Sequence, residues 1–315
     1  MTKTSLVKPR PPNKRKSRVS GLRQNFLIGH SRATPYLFSL GSVLLVTIVL
    51  AIPVAYAVVS SAFRADTLGG PQQFVGFENY LILTRDPDFW AALNRSLIFV
   101  TGCVVVGITL AITFAFALLR AVGRLRFLRG LTLIPYVISS VATAVMFRTL
   151  FNSEFGLPNQ FLELVGLPGQ VWLGDPQLAM LIVILASVWG DLPLAILIIL
   201  GGLQAIDNDF LDAALVDGAA EWQRTRYISL PLITPQLTLS MLWLSYGSLT
   251  TFGSIFALTG GGPGTATQTL PIEMFSAAFY RFDMGGGLAI ATILLLLNAL
   301  LTLMYVAVAR RYLVD

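Results

Sequence analysis

The sequence predicts an all-α integral membrane protein with six transmembrane helices, and three observations support this. The 315 residues are 55% hydrophobic and only 12% charged, where soluble domains carry about 25% charged residues. The apolar residues gather into stretches long enough to cross a bilayer, about 20 residues each. The basic residues alternate in density from one inter-helix segment to the next, as they do in multi-pass proteins. Mean hydropathy is +0.73; a water-soluble chain of this length could not bury so much apolar surface.

Residues 1–35 read as a cytoplasmic tail without stable structure. Nine of the 22 Lys and Arg residues lie in its first 32 positions, with no acidic residue among them. Basic charge beside an apolar span suits anionic lipid headgroups. The net charge of +6 does not indicate nucleic acid, because Phe26 is the one aromatic residue among the basic tail's charges.

The helices are expected at about 36–61, 94–119, 129–150, 177–203, 234–258 and 286–309, within a membrane domain of residues 36–312. Residues 33–63, 96–119, 130–147 and 284–309 carry no charge, and 176–206 carry only Asp191. Ala55-Tyr56-Ala57 is similar to a signal-peptide cleavage site. The apolar stretch before it exceeds the usual 7–15 residues, so an uncleaved first helix is expected. With both termini in the cytoplasm, 17 of the 22 basic residues fall on the cytoplasmic side. Cys103, the single cysteine, lies in an apolar run and reads as a small core residue. A disulfide within the chain and a multi-cysteine zinc site are both excluded.

Between the fourth and fifth helices lies a polar cytoplasmic island, residues 204–235. Asp207 or Asn208 suits a helix N-cap, and Asp209 suits the positive end of the dipole. That helix should stop or bend at Gly218. A second short helix through Glu221–Tyr227 should follow. Pro231 is expected to push Leu230 from helical angles and to open the next membrane helix. The small residues Ala213, Ala214, Gly218, Ala219 and Ala220 would admit another protein's surface, with Asp212, Asp217, Glu221, Arg224 and Arg226 for charge pairing. A solvated loop of good helix formers is the other reading of the same residues.

The island resembles the EAA signature of binding-protein-dependent ABC importer permeases, E-A-A-x-x-x-G, nine residues, then I-x-L-P. Here it stands as Asp212-Ala213-Ala214, Gly218, Ile228, Leu230 and Pro231, with aspartate for the usual glutamate. Trp189-Gly190-Asp191-Leu192-Pro193 with Leu200–Ile206, and Leu258–Gly264 with Thr267 and Leu270, are similar to the carbohydrate-type permeases, in particular the first permease of maltose, lactose or glycerol-3-phosphate importers. The resemblance covers roughly residues 36–312. It implies a type I ABC importer permease fold in a bacterial cytoplasmic (inner) membrane. It also implies partners: a second homologous permease, two cytoplasmic ATPase subunits and an extracytoplasmic substrate-binding protein. The island becomes a coupling helix gripped by an ATPase, whose rigid-body motion switches access.

No Gly-Lys dipeptide occurs, so the chain has no phosphate loop of its own; no cofactor is expected on it, and ATP and Mg belong to the ATPase subunits. Gly260–Gly264 reads as a flexible external turn. His30 is the only histidine, and no G-x-S-x-G elbow is present, so a membrane enzyme finds no catalytic residues. An ion-coupled secondary transporter would need intramembrane ionisable groups, and the spans offer only Asp191.

Asp191 must face a polar cavity or a polar neighbour, as a hydrogen-bond acceptor for substrate hydroxyls or as a structural bond between helices. Trp243, Tyr246 and Phe252 could stack on sugar rings or simply pack. The hydroxyls of Ser245, Ser248, Thr250, Thr251 and Ser254 could line the path or bond between helices. Family members often carry phenylalanine-aspartate where Phe252-Gly253 stands. The resemblance implies a sugar, oligosaccharide or polyol as substrate, with glycerol-3-phosphate or a related phosphodiester as the alternative.

Overall fold

The computed structural model describes residues 34–64, 73–120 and 127–313. The basic tail up to residue 33, together with Arg124 and Arg126, therefore lies outside the described residues. The chain divides into two units, Met1–Ala55 and Tyr56–Asp315. In the first, α1 (Thr34–Val46) runs into a π-helical stretch, Thr47–Ala51, and α2 (Ile52–Ser60) begins there. The apolar side chains from Leu40 to Val54 are exposed, as a helix needs when its solvent is lipid.

In the second unit, Phe63–Arg64 (β1) pairs antiparallel with Gln73–Phe74 (β2). Then come α3 (Glu78–Arg85) and α4 (Pro87–Leu119), a 33-residue helix capped by Asp86, whose carboxylate accepts from the Asp88 N–H at 2.9 Å. Next are α5 (Phe127–Leu131), α6 (Ile134–Val137), α7 (Ser140–Leu150), α8 (Leu157–Leu164) and α9 (Pro176–Gln204). The polar island contributes α10 (Asn208–Val216), α11 (Glu221–Arg224) and α12 (Leu230–Leu232), the last two joined by a π-helical stretch, Thr225–Ser229. The chain ends with α13 (Thr234–Thr250), α14 (Gly253–Leu258), α15 (Leu270–Phe275), a π-helical turn Ser276–Tyr280 and α16 (Met284–Leu313).

Four helices among the described residues are long and apolar enough to cross a membrane. Six spans result when two bent pairs each count as one: Arg129–Val137 with Ser140–Leu150, bent by 96°, and Glu221–Leu232 with Thr234–Thr250, bent by 71°. The straight helix expected over 129–150 is thus broken. Pro135 opens α6, Ile138 and Ser139 are extended, and the Ser139 hydroxyl caps α7 by accepting from the Ala142 N–H at 3.2 Å. The helix expected over 234–258 is interrupted at Thr251 (ψ 118°). Its serines and threonines turn back on their own helix: Ser245, Ser248, Thr250 and Thr251 donate to the carbonyls four residues earlier at 2.6–2.8 Å. Such back-bonding bends helices. Among the described residues, only Ser245, paired with Tyr305 at 2.8 Å, and Ser240, donating to the Ala195 carbonyl at 3.4 Å, reach another helix from the α13 hydroxyls.

The core is built around α4, α9 and α13, with α16 against α13. Gly102 and Gly107 let α4 approach closely. A Cβ there would stand 2.6 Å from the Ile184 Cδ1 and 2.8 Å from the Leu244 Cδ1. Small residues at helix contacts are how membrane bundles gain dispersion energy. Cys103 is buried in the cluster of Phe99, Ile182 and Ile255, the core role its sequence context predicts.

The Gly260–Gly264 turn differs from the flexible loop expected. Thr267 is fully buried beneath it, pairing its hydroxyl with Thr259 at 2.6 Å and donating to the Gly262 carbonyl at 2.8 Å. One buried threonine draws the glycines into a closed hydrogen-bonded knot.

Candidate functional site

The break between α6 and α7 and the interruption between α13 and α14 meet at one cavity of about 220 Å³. From the first break come Tyr136, Ile138, Ser140 and Thr143; from the second, Thr251, Phe252, Gly253 and Ser254; α9 supplies Ala186, Ser187, Gly190 and Asp191. The first turns of α7 and α14 touch here, since a Cβ on Gly253 would lie 3.2 Å from the Ser140 Oγ. Non-helical backbone at membrane depth is tolerated where it lines a cavity or is buried in protein.

Asp191 lies near the middle of α9, about 20 Å from either end at 1.5 Å per residue, so it falls at mid-depth of a bilayer. Pro193, two residues on, has no N–H for the Trp189 carbonyl, which leaves a backbone acceptor beside the cavity wall. The Asp191 carboxylate rests against Gly247 of α13, where a Cβ would meet its Oδ2 at 3.2 Å. Among the described residues it makes no hydrogen bond or ion pair, and it is the only charged side chain lining the cavity. Thr143 and Ser187 are buried on the same walls, and neither hydroxyl has a partner among the described residues. An unmet buried hydroxyl costs about 1–3 kcal/mol. Both residues line the same cavity as the Asp191 carboxylate, which makes its walls polar.

Of the aromatic candidates, Phe252 lines the cavity and begins an aromatic column, with ring centroids 5.1 Å from Phe256 and 4.9 Å from Phe275. Trp243 is half-buried and does not line the cavity, but its ring lies 6.2 Å from that of the lining residue Tyr136. Tyr246 is exposed and lines none of it. Ser140, Thr143, Ser187 and Gly190 are lining residues that sequence reasoning missed. The signal was present in Pro135 and in Ser139, a start signal for a new helix within the apolar run.

The second constellation is the island. Asp207 caps α10, its carboxylate accepting from the Asp209 N–H at 3.1 Å. At the other end, Gly218 (φ +77°) closes a Schellman turn: the Ala219 N–H donates to the Ala214 carbonyl at 2.9 Å and the Gly218 N–H to the Leu215 carbonyl at 3.0 Å. Asp207→Ala is expected to destabilise α10 by about 1 kcal/mol, read as faster amide exchange in residues 209–216 with the membrane spans unchanged.

After Gly218 the helix expected over Glu221–Tyr227 continues through Pro231 to Leu232, and Leu230 is helical (φ −63°, ψ −44°). The π-helical stretch explains the difference. The Leu230 N–H reaches the Thr225 carbonyl, one residue beyond the α partner, and the widened turn gives the proline ring room. The chain bends instead at Ile233, and Pro235 takes the first turn of α13.

Burial divides the signature in two. Asp212, Ala213 and Gly218 are exposed and Ala214 is half-buried, with Phe210, Val216, Trp222 and Tyr227 exposed around them. Leu230 and Ile233 instead pack into the cluster of Leu118, Leu203 and Leu244, joined by Ile206. Ile228 is half-buried and Pro231 exposed at this base. An exposed apolar lobe on a buried root suits docking by another protein. Glu221 is already used within the chain, in an ion pair with Arg120 at the end of α4. Both partners are well exposed, so the pair orients more than it stabilises. Asp212 makes no hydrogen bond or ion pair among the described residues and is free to meet a partner.

A family model described as the binding-protein-dependent transport system inner membrane component matches residues 104–314. The chain is 32% identical to the trehalose/maltose transport system permease protein MalF of Thermococcus litoralis, over 87% of this chain and 93% of that protein. It is 31% identical to the sn-glycerol-3-phosphate transport system permease protein UgpA of Agrobacterium fabrum, over 86% of this chain and 92% of that protein. Its fold matches a chain of a bacterial alginate ABC transporter, crystallised with an alginate pentasaccharide-bound periplasmic protein: TM-score 0.75 and 19% identity, covering 93% of this chain and 96% of that one. A multi-pass helical bundle with two broken spans around a polar cavity, and a matched family model over two thirds of its length, lead to one conclusion: the chain belongs to the family of binding-protein-dependent transport system inner membrane components.

Proposed function

We propose that this chain is one permease subunit of an ATP-driven importer for a sugar, oligosaccharide or polyol, and forms half of the translocation pathway. The single observation that carries this reading is the cavity at mid-depth of α9, with Asp191 and the unpartnered hydroxyls of Thr143 and Ser187 on its walls. Carboxylate and hydroxyls together suit a neutral guest rich in O–H groups. No Lys or Arg lines the cavity, so a phosphate dianion would meet only the Asp191 charge. This favours sugar over glycerol-3-phosphate or a related phosphodiester, and competition between the two classes for uptake by purified transporter separates them.

In this reading the protein spans a bacterial cytoplasmic membrane six times, with both termini in the cytoplasm, and residues 1–35 precede the permease domain of 36–312. Asp212, Ala213, Ala214 and Gly218 meet an ATPase subunit, while Ile228, Leu230 and Pro231 carry its motion into α13. The complete transporter has a second homologous permease, two ATPase subunits that bind ATP and Mg, and an extracytoplasmic substrate-binding protein. This chain itself catalyses nothing and holds no cofactor. When the ATPases close, the lobe moves as a body, and α13, rooted at Ile233, moves with it.

Asp191→Asn keeps the shape and removes the charge. Uptake is expected to fall about tenfold, the worth of one charge-assisted hydrogen bond of about 1.5 kcal/mol, with unchanged protein in the membrane. Unchanged uptake would retire Asp191 as a substrate contact.

A further inference from the structure

The segment between α7 and α9 holds an exposed apolar surface apart from the cavity and the island. It closes on Asn159, a buried side chain. The Asn159 Nδ2 donates to the Ser153 and Gln170 carbonyls at 2.8 and 2.9 Å. Its Oδ1 accepts from the Gln170 N–H at 2.9 Å and the Trp172 Nε1 at 2.8 Å. Four bonds to one amide hold α8 in a set orientation. Its inward face carries Asn159 and the half-buried Leu162. At 100° per residue, Leu157, Phe161 and Leu164 form a stripe on the opposite face, all well exposed, Leu164 by 84%. Val165, Leu167 and Val171 are exposed just beyond the helix, while Gln160 borders the stripe and Glu163 lies away from it toward the Asn159 side. The inward face is already occupied, so this stripe cannot fold back onto the protein.

Its position indicates what covers it. α7 ends at Leu150 and α9 starts at Pro176, so the segment sits where both leave the hydrocarbon, on the membrane face opposite the island. The exposed flank of α7 (Val145, Met146) runs through a groove of about 640 Å³ to Phe155 and Leu157, which makes the stripe continuous with surface at membrane depth. Residues 149–175 contain Glu154, Glu163 and Asp175 and no Lys or Arg. Insertion would therefore draw on apolar area rather than on anionic headgroups.

We infer that α8 lies in the headgroup–acyl boundary of the leaflet opposite the island, with Leu157, Phe161 and Leu164 among the acyl chains, and anchors the ends of α7 and α9. This rests on the membrane-spanning reading of α7 and α9 and is independent of the substrate. To test it, Leu164→Cys and Glu163→Cys are labelled with an environment-sensitive fluorophore in the full-length chain, reconstituted into phosphatidylcholine vesicles with the proteins that copurify with it. Cys103 is buried and so does not compete for label. Acyl-chain nitroxides are expected to quench the residue-164 label several-fold more than the residue-163 label, and aqueous iodide to do the reverse. Equal iodide quenching at both positions would overturn the inference, as would shielding of position 164 from both quenchers, the result of a covering protein. Val171→Cys repeats the reading at a second position, so one poorly assembled variant does not decide it. Loss of sugar transport with the quenching contrast intact would count against the transport reading alone.

Discussion

Gly218→Val is expected to abolish uptake while leaving the amount of protein in the membrane unchanged. Gly218 sits at φ +77° with open space where a Cβ would stand, so the barrier to substitution is backbone strain and not a clash within this chain. An L-residue costs about 1–2 kcal/mol in this conformation, and a β-branched residue is a conformational outlier there. Both Schellman bonds would be lost and α10 would swing away from the helix that follows. Because the lobe is exposed and its root is buried, the damage should stop at Ile233. Uptake should therefore fall in the order Asn, Ala, Val at position 218, since asparagine enters the left-handed region most readily. The checks are transport by the purified complex and ATP hydrolysis stimulated by the binding protein, each normalised to chain in the membrane. Normal uptake by the valine variant would show that the turn geometry does not transmit force.

The second large effect concerns the cavity. Gly190 lines it, and a Cβ there would meet nothing within 4 Å. Gly190→Leu should fold at least as well as the parent, because leucine is favoured over glycine by about 1 kcal/mol inside a helix. Its side chain would occupy the space beside Asp191 and reduce uptake by at least about tenfold, more than 1.4 kcal/mol of lost binding or passage, while basal ATP hydrolysis persists. Retained uptake with a normally assembled complex would place the path elsewhere. Gly190 and Gly218 thus probe two different things: one position leaves open space in the cavity, the other holds a backbone angle that a turn needs.

Much of this architecture was legible in the chain. The apolar stretches marked the helices because a bilayer demands about 20 uncharged residues per crossing, and the island was visible because polar residues between such stretches must lie outside the hydrocarbon. Asp207 and Gly218 marked the ends of α10 through local chemistry alone, a carboxylate accepting an N–H and a residue without a Cβ penalty. The breaks at Ile138–Ser139 and Thr251 were harder to read. Hydropathy does not change across them, since Ile138, Val141 and Phe252 are as apolar as any helical neighbour. The run of helix through Pro231 was likewise hidden, because a proline reads as a boundary unless a widened turn precedes it.

What the sequence determined by itself was the solvent of each segment and the chemistry of each helix end, because both depend on residues within a few positions of one another. Only the tertiary structure decided that Ser140, Thr143, Ser187 and Asp191 share one cavity and that Tyr246 stands outside it. The same packing left Asp212, Ala213 and Gly218 exposed and set Leu230, with Ile233, into the cluster of Leu118, Leu203 and Leu244. The cavity's juxtapositions bring residues of α7 beside residues of α9 that lie 44 to 51 positions later, set by where the helices break and how closely they approach, and no local pattern encodes a distance between helices.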